Sequence, residues 1–586
     1  MVIEFYNENA CDLAQQYLSK SFEEVHQSWA EFLPSIISNP NARILDLGAG
    51  SGRDAKYLAD FAQEIHLEQN NIQVLAVEPA TELLKLGQQT TAGTKVKWLS
   101  DSLPALSSVT KLEVSFDLIL LSAVWMHIAP SDQARAIRKL ANILKPGGKI
   151  VISLRHGQTE EDFTKRRMYV VCADELKKLA SNVGLFCKLE TPKETDKLGR
   201  NHVSWQTVVL QMPDDGSGAF PFIRHVAIND GKSATHKLAL LRILLRIADG
   251  HPGAVIRREP SPFGDRVILP VGLVALYWCH QYKVLIDQHK LFQTPNSKPN
   301  MGFMKDDGWH KLTHRTSSDY RIGNLFTGDD AIALYKTISA SVQNIKTMPC
   351  NYITLPNSVQ TVFEVDNKRV SAKDSIFLDL PTLKQWGEFS LPESTWLAFN
   401  RYACWIEPVL ISEWVKTMAT YKGNAKYSSP NSHHHLYRAL NWLEPKRTTI
   451  EVRNRFEELK SEHEMKCVWS AKKLTNSYDI DHSLPFARWP NNDLWNLLPA
   501  DSKINNKKSD KLPTELKLLS AKSRITDWWK EAWLNADKAP HHHRFFAEAN
   551  IALPGLDSSN SSVDDLFEAL VIQRSRLREM QQLQEW

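Results

Sequence analysis

The chain has 586 residues, 42 % of them hydrophobic and 24 % charged, with a formal charge of +4. This composition excludes a disordered or fibrous chain, and the length exceeds what one core fills, so three or four domains of ~100–200 residues are expected. The weak positive balance permits nucleic-acid binding without indicating it; any such surface has to be a local basic patch. No apolar run reaches the ~18 residues of a membrane span, and the start MVIEFYNENA lacks the basic-then-apolar form of a signal peptide. The seven cysteines include no C-x-x-C pair, so a reduced, cytoplasmic chain without zinc staples or disulfides is expected.

Residues 1 to 212 alternate strand-like and helix-like segments, which predicts an α/β doubly wound domain with a mostly parallel sheet. Ala42–Leu47 is a short apolar strand that runs into GAGSG and then a helix over Arg53–Phe61. Gly48, Gly50 and Gly52 let the backbone turn tightly and approach a ligand beside a helix N-terminus. The next strand, Gln73–Val77, ends in Glu78, placed to accept from a ribose diol, and a third strand end carries Asp101.

With FDLILLSAVWMHI and LKPGGKIVISL further on, DLGAGSGRDA resembles the first motif and later strands of class I S-adenosylmethionine-dependent methyltransferases. The resemblance implies that Asp46, Gly48 and Gly50 contact the methionine end of the cofactor, Glu78 the ribose and Asp101 the adenine. DNA amino-methyltransferases carry an (Asp/Asn)-Pro-Pro-(Tyr/Phe) tetrapeptide after the fourth strand, against which a flipped base stacks. Here that position reads Ser122-Ala123-Val124-Trp125-Met126-His127, which points to small molecules or other acceptors. His127 is either a base near the acceptor or a structural strand-end histidine, and Trp125 either stacks on substrate or packs the core.

MPDDGSGAF, around 212–220, marks a first boundary. Beyond it, a mainly α-helical middle domain over 213–422 is expected. Its helices are His236–Asp249, Leu269–Leu285, one around Asp329–Ile345 and a long amphipathic one over Ser394–Lys422. Strand-like pieces lie at Gln360–Val365 and Ser375–Leu380, and a loop rich in Asn, Pro and Lys near 294–301. Arg242, Arg246, Arg257 and Arg258 are either phosphate contacts of a DNA-positioning surface or a solvated or interface face.

GNAKYSSPNSHHH (423–435) is a polar linker and the second boundary, opening a segment over 423–586. The runs His433–His435 and His541–His543 are expected in solvated loops, because consecutive histidines cannot all face one ion. Arg447–Lys466 reads as a charged helix, Cys467-Val468-Trp469 as the start of a strand, and Glu515–Lys530 and Ser562–Gln584 as helices packed near the end of the chain. Between them, Tyr478–Pro513 holds an acid–histidine pair, Asp481-His482, followed by Asn496, Asn505 and Lys508. A metal-dependent phosphodiesterase needs those types: a histidine to take a proton from water, and oxygen donors for a hard cation.

The D-x-D-H-x-x-P opening and N-x-x-K-S-D-x-x-P close resemble the ββα-metal fold of HNH endonucleases, in particular the HNH domain of RNA-guided CRISPR effector nucleases. The resemblance implies His482 as general base, Asn496 as the residue orienting it, Asp481 and Asn505 as ligands of Mg²⁺ or Mn²⁺, and Lys508 as a phosphate contact. A Leu-rich helical region before an HNH module also looks like bacterial proteins of restriction and defence loci. The function expected is an endonuclease acting on DNA, with RNA as the alternative substrate, fused to a domain that binds S-adenosylmethionine. A homodimer or defence-system proteins are the associations that go with it. The alternative is a methyltransferase of a small molecule or RNA whose HNH half is regulatory or a binding scaffold.

Overall fold

The computed structural model describes residues 2–65, 71–261, 264–296, 298, 300–356, 358–442, 446–535, 539–556 and 561–586. The chain divides into two compact units. One comprises Met1–Phe222, Pro260–Asp265 and Thr354–Gln360, and the other Ile223–Glu259, Arg266–Ile353 and Thr361–Trp586. The second therefore holds both the middle and the C-terminal segments.

The first unit is built on strands β1 (Arg43–Leu47), β2 (Gln73–Val77), β3 (Lys97–Leu99), β4 (Phe116–Leu121), β5 (Leu144–His156), β6 (Phe186–Glu190), β7 (Glu194–Thr195) and β8 (Ser204–Gln211). Their order is β3-β2-β1-β4-β5-β8-β6, with β7 beside β8. β1 to β5 pair in parallel, and β8 runs antiparallel to β5, β6 and β7. Both faces are covered, so alternate residues of one strand enter opposite layers. Leu45 and Ile119 pack on one side; Ile44, Leu118 and Leu120 pack on the other. Each such fully buried side chain contributes about 1.5–3 kcal/mol. Because β1 lies between β2 and β4, the connections leaving its neighbours diverge and open a crevice at the carboxyl ends of the strands.

In the second unit the middle segment is helical, as expected, with helices His236–Gly250, Val271–Tyr282, Gly328–Ile345 and Glu393–Ala419. It also contains sheet: the strand-like pieces expected at Gln360–Val365 and Ser375–Leu380 contribute one strand each, and the other strands have no counterpart in the pattern. Strands β9 (Arg257–Glu259), β10 (Arg266–Pro270), β12 (Glu364–Asn367) and β14 (Gly387–Pro392) form an antiparallel sheet in the order β12-β14-β10-β9. β11 (Leu325–Thr327) and β13 (Ser375–Phe377) form a separate pair. The stretch read as one helix over Leu269–Leu285 starts as strand β10, and the helix begins only after Pro270, whose fixed φ suits a helix start. The long helix over Glu393–Ala419 contains Pro408 and is broken at Tyr402, where φ is −118°. The loop expected near 294–301 includes Ser297 and Pro299, which lie outside the described residues.

The C-terminal segment is organised around the hairpin of β15 (Tyr478–His482) and β16 (Leu497–Asp501), followed by a helix over Ser502–Lys508. Cys467–Trp469 is not the first strand of this hairpin; it forms a turn closed by the Lys466–Lys473 bridge. Both histidine runs lie on helices rather than loops, His433–Leu440 and Ala539–Ala552. Backbone hydrogen bonds tie Leu512 and Thr514 to the last residues of the chain, and Arg574 donates to the Pro513 carbonyl at 2.8 Å. Among the described residues no helix is long and apolar enough to cross a membrane.

Candidate functional sites

The crevice of the first unit is a cavity of about 450 Å³. Its walls include Gly48 and Gly50 after β1, Glu78 after β2, Asp101 after β3 and, from the turn after β4, Ala123, Val124, Met126 and His127. Gly48 has φ +70°, and a Cβ there would stand 2.5 Å from Val124 Cγ2, so the loop needs glycine. Glu78 fastens this loop: Gly50 N–H donates to its Oε2 and Ala80 N–H to its Oε1, both at 2.9 Å. Burial pushes its carboxyl up, and those two amides pull it back. Asp101 accepts from Ser102, Ser108 and Val109 N–H, capping a short helix, which leaves about one of a carboxylate's four lone-pair positions free. Asp46 does not line the cavity. It sits behind the loop, 1 % exposed, with Oδ2 unpartnered and its carboxyl driven up by burial and by the charge of Asp54.

His127 lies on the cavity wall, and its tautomer follows from its partners. Nδ1 lies 3.1 Å from the Arg166 carbonyl, which can only accept, so Nδ1 carries the proton. Nε2 then accepts from the Tyr6 hydroxyl at 3.0 Å, and Arg166 Nη2 donates to that same hydroxyl at 3.0 Å. Burial lowers the His127 pKa to about 4, which keeps the ring neutral. Tyr6 and Arg166 escaped the sequence reading, since Tyr6 stands 121 positions from its partner and in no motif. Trp125 is 1 % exposed and belongs to the core, not to the cavity.

In the second unit β15 carries Asp479 and Asp481 on one face. Asp481 Oδ1 accepts from Lys508 Nζ at 3.0 Å and Oδ2 from Trp469 Nε1 at 2.8 Å. Lys508 is fully buried and also donates to the His482 carbonyl at 2.5 Å. This corrects its expected role: an ammonium enclosed by these acceptors positions Asp481 and His482 and does not reach a phosphate. Burial pushes the Asp481 carboxyl up; Lys508, Trp469 and Arg447 draw it back. Asn505, on the helix capped by Asp501, donates to Asp479 Oδ2 at 3.1 Å. Asn505 thus stands against Asp479, and Asp481 lies two residues further along the same strand face; carboxylate and amide oxygens are a donor chemistry suited to a hard divalent cation. Among the described residues no group of three or more His, Cys, Asp and Glu offers an alternative metal cluster.

His482 Nε2 lies 3.1 Å from Asn492 Oδ1. The orientation of that amide is fixed, because its Nδ2 donates to the Lys446 carbonyl at 2.8 Å and its Oδ1 accepts from Thr448 N–H at 3.3 Å. Nε2 therefore carries the proton, and the lone pair sits on Nδ1, which is buried and has no hydrogen-bond partner. Burial lowers this ring's pKa to about 4, opposed by the Asn492 bond. Asn496 makes no hydrogen bond to the ring. Fully buried, it accepts from Leu484 N–H and donates to the Leu484 and Asn491 carbonyls, lacing the loop that follows His482.

The four candidate arginines of the middle segment are engaged within the fold. Arg242 is fully buried against Glu407 and Gln281, Arg246 joins the same Glu407, Arg257 pairs with Glu259 and Glu388, and Arg258 with Glu393.

Three family models match this chain: a methyltransferase domain over residues 44–148, a domain of unknown function (DUF8808) over 216–440, and an HNH endonuclease over 469–514. Among curated relatives, the arsenite methyltransferase of Rattus norvegicus is 28 % identical over 151 residues, 24 % of this chain and 39 % of that protein. The ubiquinone/menaquinone biosynthesis C-methyltransferase of Shewanella sediminis is 24 % identical over 215 residues, 36 % of this chain and 80 % of that one. The chain thus spans about two fifths of the first relative's length. A solved TehB-like methyltransferase from Corynebacterium glutamicum aligns at 18 % identity over 35 % of this chain and 98 % of its own, with a TM-score of 0.25. Residues 44–148 carry a methyltransferase domain and residues 469–514 an HNH endonuclease domain, joined in one chain.

Proposed function

We propose that the protein is a metal-dependent endonuclease that hydrolyses phosphodiester bonds of DNA and whose first unit binds S-adenosylmethionine. The observation that carries the nuclease reading is His482: a neutral ring, its proton held on Nε2 by Asn492, its Nδ1 lone pair free, beside a buried carboxylate. His482 Nδ1 takes a proton from water as the water oxygen bonds to phosphorus. The bond from phosphorus to the 3′ oxygen breaks, and the leaving oxygen takes a proton from solvent, giving a 5′-phosphate and a 3′-hydroxyl. Asp481 and Asn505, with Asp479, would hold Mg²⁺ or Mn²⁺, which when bound supplies charge to the phosphoryl and leaving oxygens. Lys508 keeps Asp481 ionised in its buried position, and Asn496 holds the loop on which the base depends. One such site cuts one strand, so a double-strand break takes two protomers or two events. Restriction or defence against foreign DNA is the role that fits this combination. Nicking of supercoiled plasmid, lost in His482→Ala, tests the reading.

In the first unit, the cavity size, the Gly48–Gly50 loop and the Glu78 and Asp101 carboxylates suit S-adenosylmethionine: methionine end on the loop, ribose at Glu78, adenine at Asp101. Asp46 would shape the loop from behind. A second reading is that this unit transfers methyl groups to a small molecule or RNA, and the Tyr6–His127–Arg166 network on the cavity wall favours it. The neutral His127 would draw a proton from an acceptor through the Tyr6 hydroxyl. Transfer of label from methyl-labelled cofactor to DNA, RNA or small-molecule pools separates the readings; cofactor-dependent cleavage without transfer would make the cofactor a licensing ligand.

A further inference from the structure

Several cations around the nuclease hairpin are already committed. Lys508 is buried against Asp481, Arg488 pairs with Asp510 at 2.5 Å, Lys472 with Asp501 at 3.1 Å, and Arg524 donates to the Val468 carbonyl at 2.7 Å. Arg447 is exposed and, among the described residues, makes no hydrogen bond or ion pair. Yet the backbone on both sides of it is fixed. The Lys446 carbonyl accepts from Asn492 Nδ2 and the Thr448 N–H donates to Asn492 Oδ1, and that same amide holds the ring of His482. One side chain therefore anchors the segment bearing Arg447 to the base. The arginine's charge acts on both neighbours, favouring ionised Asp481 and neutral His482.

We propose that Arg447 is the phosphate-binding residue of the nuclease site, its guanidinium taking the non-bridging oxygens of the scissile phosphodiester. The proposal rests on the nuclease reading of His482 and names the group that holds the substrate there. A guanidinium offers two parallel N–H donors that match two phosphate oxygens, and this exposed one gives up no partner among the described residues when it binds. Its charge also opposes the negative charge that builds on the phosphoryl oxygens during attack. The contact reads no base, so it serves any sequence.

The test compares full-length wild type, Arg447→Ala, Arg447→Lys and His482→Ala. Single-turnover nicking of supercoiled plasmid in Mg²⁺ is the first measurement. The second, in the His482→Ala background, is the affinity for a fluorescent DNA duplex across a salt series without divalent metal. Arg447→Ala is expected to slow nicking about 100-fold, with partial recovery in Arg447→Lys. It is also expected to lower the salt slope of duplex binding by about one. Wild-type nicking by Arg447→Ala together with an unchanged slope overturns the proposal while leaving the nuclease reading intact. If the wild type itself does not nick, the nuclease reading fails and the binding series alone decides. A reduced slope then supports Arg447 as a phosphate contact, and an unchanged slope overturns it. Because Arg447 is exposed, each Arg447 variant is expected to melt at the temperature of its own parent, which serves as the folding control.

Discussion

The Nε2 of His482 faces Asn492 Oδ1 at 3.1 Å, and the amide cannot turn over without losing both Lys446 and Thr448. Asn492 is thus the residue that sets the tautomer of the base, and Asn496 the residue that holds the loop. Their substitutions separate. Asn492→Ala is expected to reduce the rate of plasmid nicking about 10–100-fold by freeing the ring, with little change in melting temperature. Asn496→Ala leaves the Leu484 N–H and two buried carbonyls without partners, and about 2–4 kcal/mol of stability is expected to go with them. Equal effects of the two changes on melting temperature would contradict this division.

Lys508→Met replaces the ammonium that faces Asp481 with an apolar chain of similar volume. It leaves a buried carboxylate with Trp469 as its one remaining hydrogen-bond partner among the described residues. Breaking one side of a buried pair costs about 3–5 kcal/mol, so the urea midpoint of the second unit is expected to drop clearly. An unchanged midpoint would mean that Lys508 does not hold Asp481 in solution.

Ligand binding by the first unit depends on the glycine loop. Gly48→Ala puts a Cβ 2.5 Å from Val124 Cγ2 at a φ of +70°. Calorimetric titration with S-adenosylhomocysteine is expected to show affinity weakened about tenfold or more, since strain of about 1–2 kcal/mol falls on the loop itself. Gly231→Ala, with nothing within 4 Å of the added carbon, is the control expected to bind as the parent does.

A buried carboxyl pair beneath the nuclease loop gives a pH dependence. Glu548 accepts from Leu494 N–H and Arg544, and Asp493 from Asn491 and Trp495. Burial pushes Asp493 up to about 6; burial and then the charge of Asp493 push Glu548 up to about 8. Both folded values exceed the unfolded ones, so the folded state holds these protons more tightly. Their stabilisation is complete below about pH 4 and is lost as pH rises through 6 and then 8. The melting temperature of wild type is expected to fall more steeply between pH 5 and 8.5 than that of Asp493→Asn, which carries one acid fewer. Parallel curves would show that the pair does not titrate in this window.

Which parts of this were legible in the sequence follows from how local each signal is. The glycine loop, the strand-end acids and the D-H…N…N series are short patterns, and each sits where the chain order put it: at strand ends, on a hairpin, on the helix after it. Direction is not local. Nothing in the spacing distinguishes Asn492 from Asn496, because the choice is made by backbone at 446–448. Lys508 reads as an exposed base in a polar run, and its burial comes from packing against Trp469 and Asp481. β10 and the helix after it share one apolar run, so periodicity alone could not divide them; Pro270 does.

The role of His482 as the base of a metal-dependent nuclease is tested by nicking of supercoiled plasmid in Mg²⁺ or Mn²⁺, with and without S-adenosylmethionine, by wild type and by His482→Ala. Metal-dependent cutting by the wild type and its loss in the variant are expected, with the cofactor lanes reporting whether the first unit governs the second. Equal cutting by both proteins, or none by the wild type on DNA in either metal, would contradict that role.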